Sequence, residues 1–288
     1  MPVIVRQYDS VADTLAASQR LGRDGESSRR DDDGWAGGSW DNAVRMASEG
    51  WSDARPQVDA VLEPVRHQLA ELLSYQLQPV FDLVGGGGID MDRYLLGEIE
   101  CMYEDMPQEI MKEGKVFTLL INGVYDSGVR PETILARGAA IAALVEAMSM
   151  MGCELSIYVE CSVSPLSYGR RGKLPEGPNT WSLLTKVHAA GDLLDINNVM
   201  FAMGHPSWLR RICFGIMEGE KAQIRSTYGF GTGGYGRPSS TTLCNDVLPM
   251  KPSFVMQMGG SQYGQDISDP VGWVLSQLEL QGIYTPSE

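Results

Sequence analysis

Residues 115–163, KVFTLLINGVYDSGVRPETILARGAAIAALVEAMSMMGCELSIYVECSV, decide the fold class. KVFTLLIN (115–122) is a short apolar run with β-branched content, suited to a buried strand. PETILARGAAIAALVEAMSMMG is an alanine-rich helix that starts at Pro131 and stops at Gly152. CELSIYVECSV then alternates like a second strand. Strand, long helix and strand within about 50 residues form the βαβ unit of a parallel sheet. The spacing therefore predicts an α/β chain with a Rossmann-like sheet.

Upstream, the pattern is helical. Ser39 reads as an N-cap for WDNAVRMASEG, with Trp40, Val44 and Ala47 at helical spacing and Gly50 as the stop. In VDAVLEPVRHQLAELLSYQ, the residues Val58, Val61, Leu62, Val65, Leu69, Leu72 and Leu73 recur at steps of three and four. Pro64 either kinks that helix or marks its start. GGGG at 85–88 is a hinge or tight turn before IDMDRYLLGEIECMYEDMP. Residues 18–38, polar and glycine-punctuated, read as a mobile arm. Downstream, WSLLTKVHAAG reads as a helix, and DINNVMFAMGHPSWLRRICFGIMEGE as one or two more. Phe254, Val255 and Met256 form a further apolar run, and SDPVGWVLSQLELQG a closing helix capped by Ser268. The expected organisation is an N-terminal arm over 1–38, a helical region over 39–110 and an α/β domain over 111–288.

The 288 residues are 43% hydrophobic and 21% charged, as in an ordinary soluble globular protein of one large or two small domains. No uninterrupted apolar run approaches the roughly 18 residues of a membrane span, and MPVIVRQYDS lacks a secretory layout. Five scattered cysteines without a CxxC pair argue against structural zinc and a disulfide framework, and for a reducing cytoplasm. Net charge is -14, unevenly spread. Residues 1–105 hold 9 Lys and Arg against 20 Asp and Glu, whereas residues 165–240 hold 9 against 5. Such a chain does not neutralise polyanions in bulk, but it can bind one along a defined track.

That basic strip contains RSTYGFGTGGYGRPSS (225–240), with two arginines, three aromatic rings, five glycines and no acid. A second loop, SPLSYGRRGKLPEGPNTW, carries Tyr168, Arg170, Arg171, Lys173 and Trp181. Arg210, Arg211 and Lys221 lie between them. Single-strand binding calls for this combination, because cations track phosphates while rings stack on unpaired bases. Duplex recognition fits less well, since no helix carries several bases aimed at a groove. The bland alternative is a pair of exposed connectors. The candidate nucleic-acid-binding residues are Tyr168, Arg170, Arg171, Lys173, Arg210, Arg211, Lys221, Arg225, Tyr228, Phe230, Tyr235 and Arg237. The rings stack bases and the cations meet phosphates; Arg210 and Arg211 sit in a helix and can instead pair with Glu218 or Glu220.

Catalytic motifs are weak. There is no GxxxxGK[ST], and GFGTGG at 229–234 does not join a strand to a helix. His67, His188 and His205 have no nucleophile motif beside them. Asp192 and Asp195 in GDLLDINN could supply two members of a carboxylate cluster, but a helix N-cap explains each as well. The loop LLINGVYDSG before an alanine-rich helix resembles a von Willebrand A domain, which holds magnesium there through Asp-x-Ser-x-Ser. Asn122, Val124 and Asp126 occupy that frame, so the first aspartate and both serines are missing; Asp126 and Ser127 are a shifted remnant. The resemblance implies a degenerate von Willebrand A-like sheet.

SWDNAVRMASEGW, DMDRYLLGEIECM, RGAAIAALVEAM and GHPSWLRRICFGIMEGE form an ordered series over roughly residues 39–220. The series resembles the Drc-type proteins of lytic podophages that carry their own RNA polymerase. That resemblance implies a non-catalytic single-stranded-DNA-binding protein, without cofactor, serving a phage RNA polymerase in the infected host's cytoplasm. The rival expectation is a von Willebrand A-like interaction module, magnesium-dependent at Asp126 and partnering an ATPase. The sequence leaves the oligomeric state open.

Overall fold

The computed structural model of the chain describes residues 3–69, 75–82, 86–109, 115–165, 179–231, 234–239, 254–257 and 265–283. Strand β1 (Val3–Tyr8) leads into helix α1 (Val11–Leu21), capped by the Ser10 hydroxyl, which accepts from the Asp13 N–H. A single turn, α2 (Asp33–Ala36), precedes α3 (Trp40–Glu49). Ser39 caps α3 by accepting from the Asn42 N–H, and Gly50 ends it, as expected from the sequence. Helix α4 (Arg55–Leu69) buries Val58, Val61, Leu62, Val65 and Leu69 as one stripe, each worth roughly 1.5–3 kcal/mol. Pro64 lies inside α4 and does not start it.

The region expected to be helical throughout then turns to strands: β2 (Tyr75–Asp82), β3 (Gly88–Ile89), a short α5 (Met91–Leu95) and β4 (Met102–Glu109). Their sheet has the order β2-β4-β3 and is antiparallel. Along β2, Gln76, Gln78 and Asp82 alternate with Tyr75, Leu77 and Phe81, a period of two that outweighs the helical pattern before it.

The βαβ unit follows as expected: β5 (Val116–Asn122), α6 (Pro131–Met150) and β6 (Glu154–Ser164), with the two strands parallel from Val116↔Glu154 to Asn122↔Glu160. WSLLTKVH is not a helix but strand β7 (Thr180–His188), antiparallel to β6. Its pairing with β6 on one side and β1 on the other satisfies its backbone, and that tertiary gain overrides local preference. Helix α7 (Ile196–Gly204) is followed by a π-helical turn over Trp208–Cys213 that runs into α8 (Phe214–Glu218) and α9 (Ala222–Tyr228). Strands β8 (Arg237–Pro238) and β9 (Phe254–Gln257) and helices α10 (Gln265–Ser268) and α11 (Pro270–Leu280) complete the chain. Asp269, not Ser268, caps α11, accepting from the Gly272 N–H at 3.0 Å.

The main sheet runs β1-β7-β6-β5-β9, with β8 beside the end of β6. Only the β6–β7 and β6–β8 pairs are antiparallel, so the fold is mixed α/β with helices. From β5 the chain steps to β6 on one side and later returns as β9 on the other. Helix α6 is long and apolar enough to cross a membrane by length and composition, but most of it is buried inside the molecule, against α4, α7 and α11. Gly138 of α6 faces Gly204 of α7 so closely that a Cβ on Gly138 would lie 2.2 Å from the Gly204 Cα.

Residues 1–38 are not a mobile arm as far as they are described. β1 pairs with β7 in parallel, and Arg6 holds Glu220 through two hydrogen bonds of 2.6 and 2.8 Å. The polar stretch that follows is fastened by carboxylates and guanidiniums from the other end of the chain, which a local reading does not register.

Candidate ligand site at the carboxyl ends of the strands

Where β5 ends, the backbone rises out of the sheet. The Gly123 N–H donates to the Glu160 carbonyl at 2.8 Å, and the Val124 N–H to the Asn122 Oδ1 at 3.1 Å. Val124 and Tyr125 are buried, with the Tyr125 hydroxyl donating to the Pro206 carbonyl at 3.2 Å. Asp126 and Ser127 emerge exposed. The Asn122 Nδ2 donates to the Ser239 carbonyl at 2.7 Å, joining this loop to the distant 234–239 segment.

The supposed arm forms the second wall. The Trp35 Nε1 donates to the Ser127 carbonyl at 3.0 Å. Arg210 stacks its guanidinium 4.4 Å from the Trp35 ring centre, donates to the Trp35 carbonyl, and donates to the Val129 carbonyl at 2.7 Å. Arg211 donates to the carbonyls of Gly38 at 3.1 Å, Ser28 at 3.2 Å and Arg30 at 2.5 Å, and pairs with Asp33 at 3.1 Å. Both guanidiniums are almost wholly buried, and burial lowers their pKa from the ordinary value. The expectation that they meet phosphates is therefore corrected: their donors are spent on main-chain carbonyls. Nor do they pair with Glu218 or Glu220.

The acid-free aromatic loop forms the third wall, in an unexpected way. Gly229 and Gly231 have φ of 74° and 88°, a region open to glycine. They fold the loop back, turning Tyr228 and Phe230 into the core, where Phe230 meets Trp181 edge-on at 5.3 Å between ring centres. Neither ring is available to stack on a base, which corrects that assignment. Tyr235 stacks flat on Phe214, ring centres 3.5 Å apart and planes 1° apart, and donates its hydroxyl to Glu218 at 2.6 Å. Burial and that carboxylate push the Tyr235 pKa well up. Arg225 is half-buried and paired with Glu26 at 2.7 Å. Lys221 is exposed at the start of α9 and does not line the cavity that these walls enclose. Arg237 is exposed on β8, opposite Ser164. Tyr168, Arg170, Arg171 and Lys173 lie outside the described residues.

The three walls enclose a cavity of about 390 Å³ lined by Arg30, Trp35, Asp126, Ser127, Tyr235 and Arg237, among others. It lies beyond the carboxyl ends of β5 and β6, the end at which open α/β sheets bind ligands. Its volume falls in the range of small-ligand pockets. Arg30 and Arg237 make no ion pair among the described residues. No group of three or more His, Cys, Asp or Glu among the described residues could hold a metal ion.

Residues 2–283 match the family described as Domain of unknown function (DUF7192). The chain belongs to that family. No curated protein matches it. No solved structure matches it either.

Of the expected site residues, Tyr235, Arg237 and the internally bonded Arg210 line the cavity of this DUF7192 domain. Arg30 and Trp35 were missed. A signal existed in the sequence: a lone tryptophan in a glycine- and aspartate-rich stretch is unusual for a segment with nothing to pack against.

Proposed function

We propose that this protein binds single-stranded DNA without strong sequence preference, as a non-catalytic cofactor of transcription by a phage RNA polymerase in the host cytoplasm. The cavity receives one base or nucleotide of the strand. The observation that carries the reading is the pairing, in one pocket of nucleotide size, of two arginines that make no ion pair among the described residues and two rigidly held rings. Arginines without a protein partner attract phosphates, and a ring fixed by its neighbours loses little entropy on stacking. Asp126 suits the exocyclic amino groups of bases, which donate hydrogen bonds. The transcriptional role rests on the resemblance to the Drc-type proteins.

The test is fluorescence anisotropy with single-stranded and duplex oligonucleotides of one sequence, over a salt series, with magnesium or EDTA. The reading expects single-strand preference, a linear fall of log K with log salt, and indifference to EDTA. Arg30→Ala with Arg237→Ala should weaken binding uniformly across sequences. Absence of binding to either form would leave the von Willebrand A-like interaction module, which has exposed Asp126 and Ser127 at the end of β5 in its favour. Magnesium-dependent partner binding would then be expected.

A further inference from the structure

Among the described residues, seven of the ten exposed large hydrophobics fall between Val80 and Ile99. Leu95, Leu96 and Ile99 are 75–77% exposed, which is too much for side chains that serve folding. With Met91 and Tyr94 they project from α5 and the turn after it, on the small sheet β2-β4-β3, which shares no strand with the main sheet.

The charge around this surface is one-sided. Residues 80–104 contain Asp82, Asp90, Asp92, Glu98, Glu100 and Glu104 against Arg93 alone. That arginine is committed internally. It lies 3.8 Å over the Phe81 ring, pairs with Glu98 at 3.2 Å and donates to the Glu100 carbonyl at 3.1 Å. Arg93 thus pins α5 to β2, and Asp90 is taken up in capping α5, while Asp92, Glu98, Glu100 and Glu104 are exposed in the same segment as the leucines.

We propose that this face docks a basic amphipathic helix of another protein, leucines against Leu95, Leu96 and Ile99, lysines or arginines against the surrounding carboxylates. Charge decides the class of occupant. A second copy meeting the same face would juxtapose two acidic patches in a chain of net charge -14, and like-charge contact across an interface is costly. An anionic membrane is repelled for the same reason. A helix with an apolar stripe and basic flanks satisfies both features at once.

The experiment uses the full chain and a fluorescent 14-residue leucine–lysine helical peptide. A lysine–serine peptide of equal charge and a leucine–glutamate peptide serve as controls. Wild type should bind the leucine–lysine peptide and neither control. Leu95→Ser with Leu96→Ser and Ile99→Ser should weaken binding about tenfold, as should Asp92→Lys with Glu100→Lys. Thermal melts of both variants should match wild type, since every altered side chain is exposed. Equal binding of the lysine–serine peptide, or unchanged binding by the triple variant, overturns the proposal. So does a wild-type dimer that the triple variant dissolves, which would give the face to a second copy, or flotation with phosphatidylcholine vesicles, which would give it to lipid. Oligonucleotide binding by the triple variant should stay at the wild-type level, so this proposal and the DNA reading fail separately.

Discussion

The Tyr235 hydroxyl donates to the buried carboxylate of Glu218 at 2.6 Å, and the same carboxylate accepts the Ser28 N–H at 2.9 Å. One side chain at the end of α8 therefore ties the N-terminal segment to the aromatic loop, two walls of the cavity. Tyr235→Phe should cost about 1.5–3 kcal/mol, the range for a hydrogen bond to a charged group. Glu218→Ala, which frees both walls, should cost more and expose the 23–35 segment to limited proteolysis. Urea melts and a proteolysis time course check this.

Arg211→Ala should destabilise by about 3 kcal/mol or more, because it leaves several buried carbonyls without donors. Its effect on oligonucleotide binding should follow the folded fraction measured by circular dichroism. Arg30→Ala and Arg237→Ala should behave in the opposite way, with unchanged melts and binding weakened severalfold each. If instead Arg211→Ala lost binding while fully folded, the assignment of Arg211 to structure would fall.

Gly138→Ala should be among the most destabilising small substitutions in the chain. The added methyl would sit 2.2 Å from the Gly204 Cα, so α6 and α7 would have to separate. Overpacking of this kind costs about 3 kcal/mol. Ala140, on the same helix and also buried, gives the contrast: Ala140→Gly should cost about 1 kcal/mol from helix propensity.

Glu160 lies at the centre of the sheet, and burial pushes its pKa up to about 7, partly offset by the hydrogen bond from the Ser182 hydroxyl at 2.5 Å. Between roughly pH 4.5 and 7 the folded chain keeps a proton there that the unfolded chain has lost. Stability from this group therefore falls as pH rises through that window, by roughly 3 kcal/mol in all. His205 acts oppositely: burial pulls its pKa down to about 4, so the unfolded chain gains the proton first as pH falls and stability drops on acidification below about 6.5. Melting temperatures from pH 4.5 to 8 for wild type and Glu160→Gln should diverge, the variant gaining most at pH 8. Parallel curves would mean that Glu160 titrates normally.

The sequence by itself determined the βαβ unit. The apolar run 116–122, the alanine-rich helix between Pro131 and Gly152, and the alternation in 154–164 are local signals, and the structure follows them closely. The caps at Ser39 and Gly50 were legible for the same reason, since a cap is satisfied within four residues. Tertiary structure decided the rest. β7 became a strand because β1 and β6 flank it, and β1 comes from a segment almost 180 residues away. The arginines at 210 and 211 turned inward because carbonyls of the N-terminal segment and of the loop after β5 wait there. The rings of 225–240 read as surfaces for stacking bases, yet the backbone freedom of Gly229 and Gly231 is what folds Tyr228 and Phe230 inside. Local periodicity carries the elements that satisfy their own hydrogen bonds. Which face is buried, and which cation remains for a ligand, depends on partners distant in sequence that only the folded chain brings together.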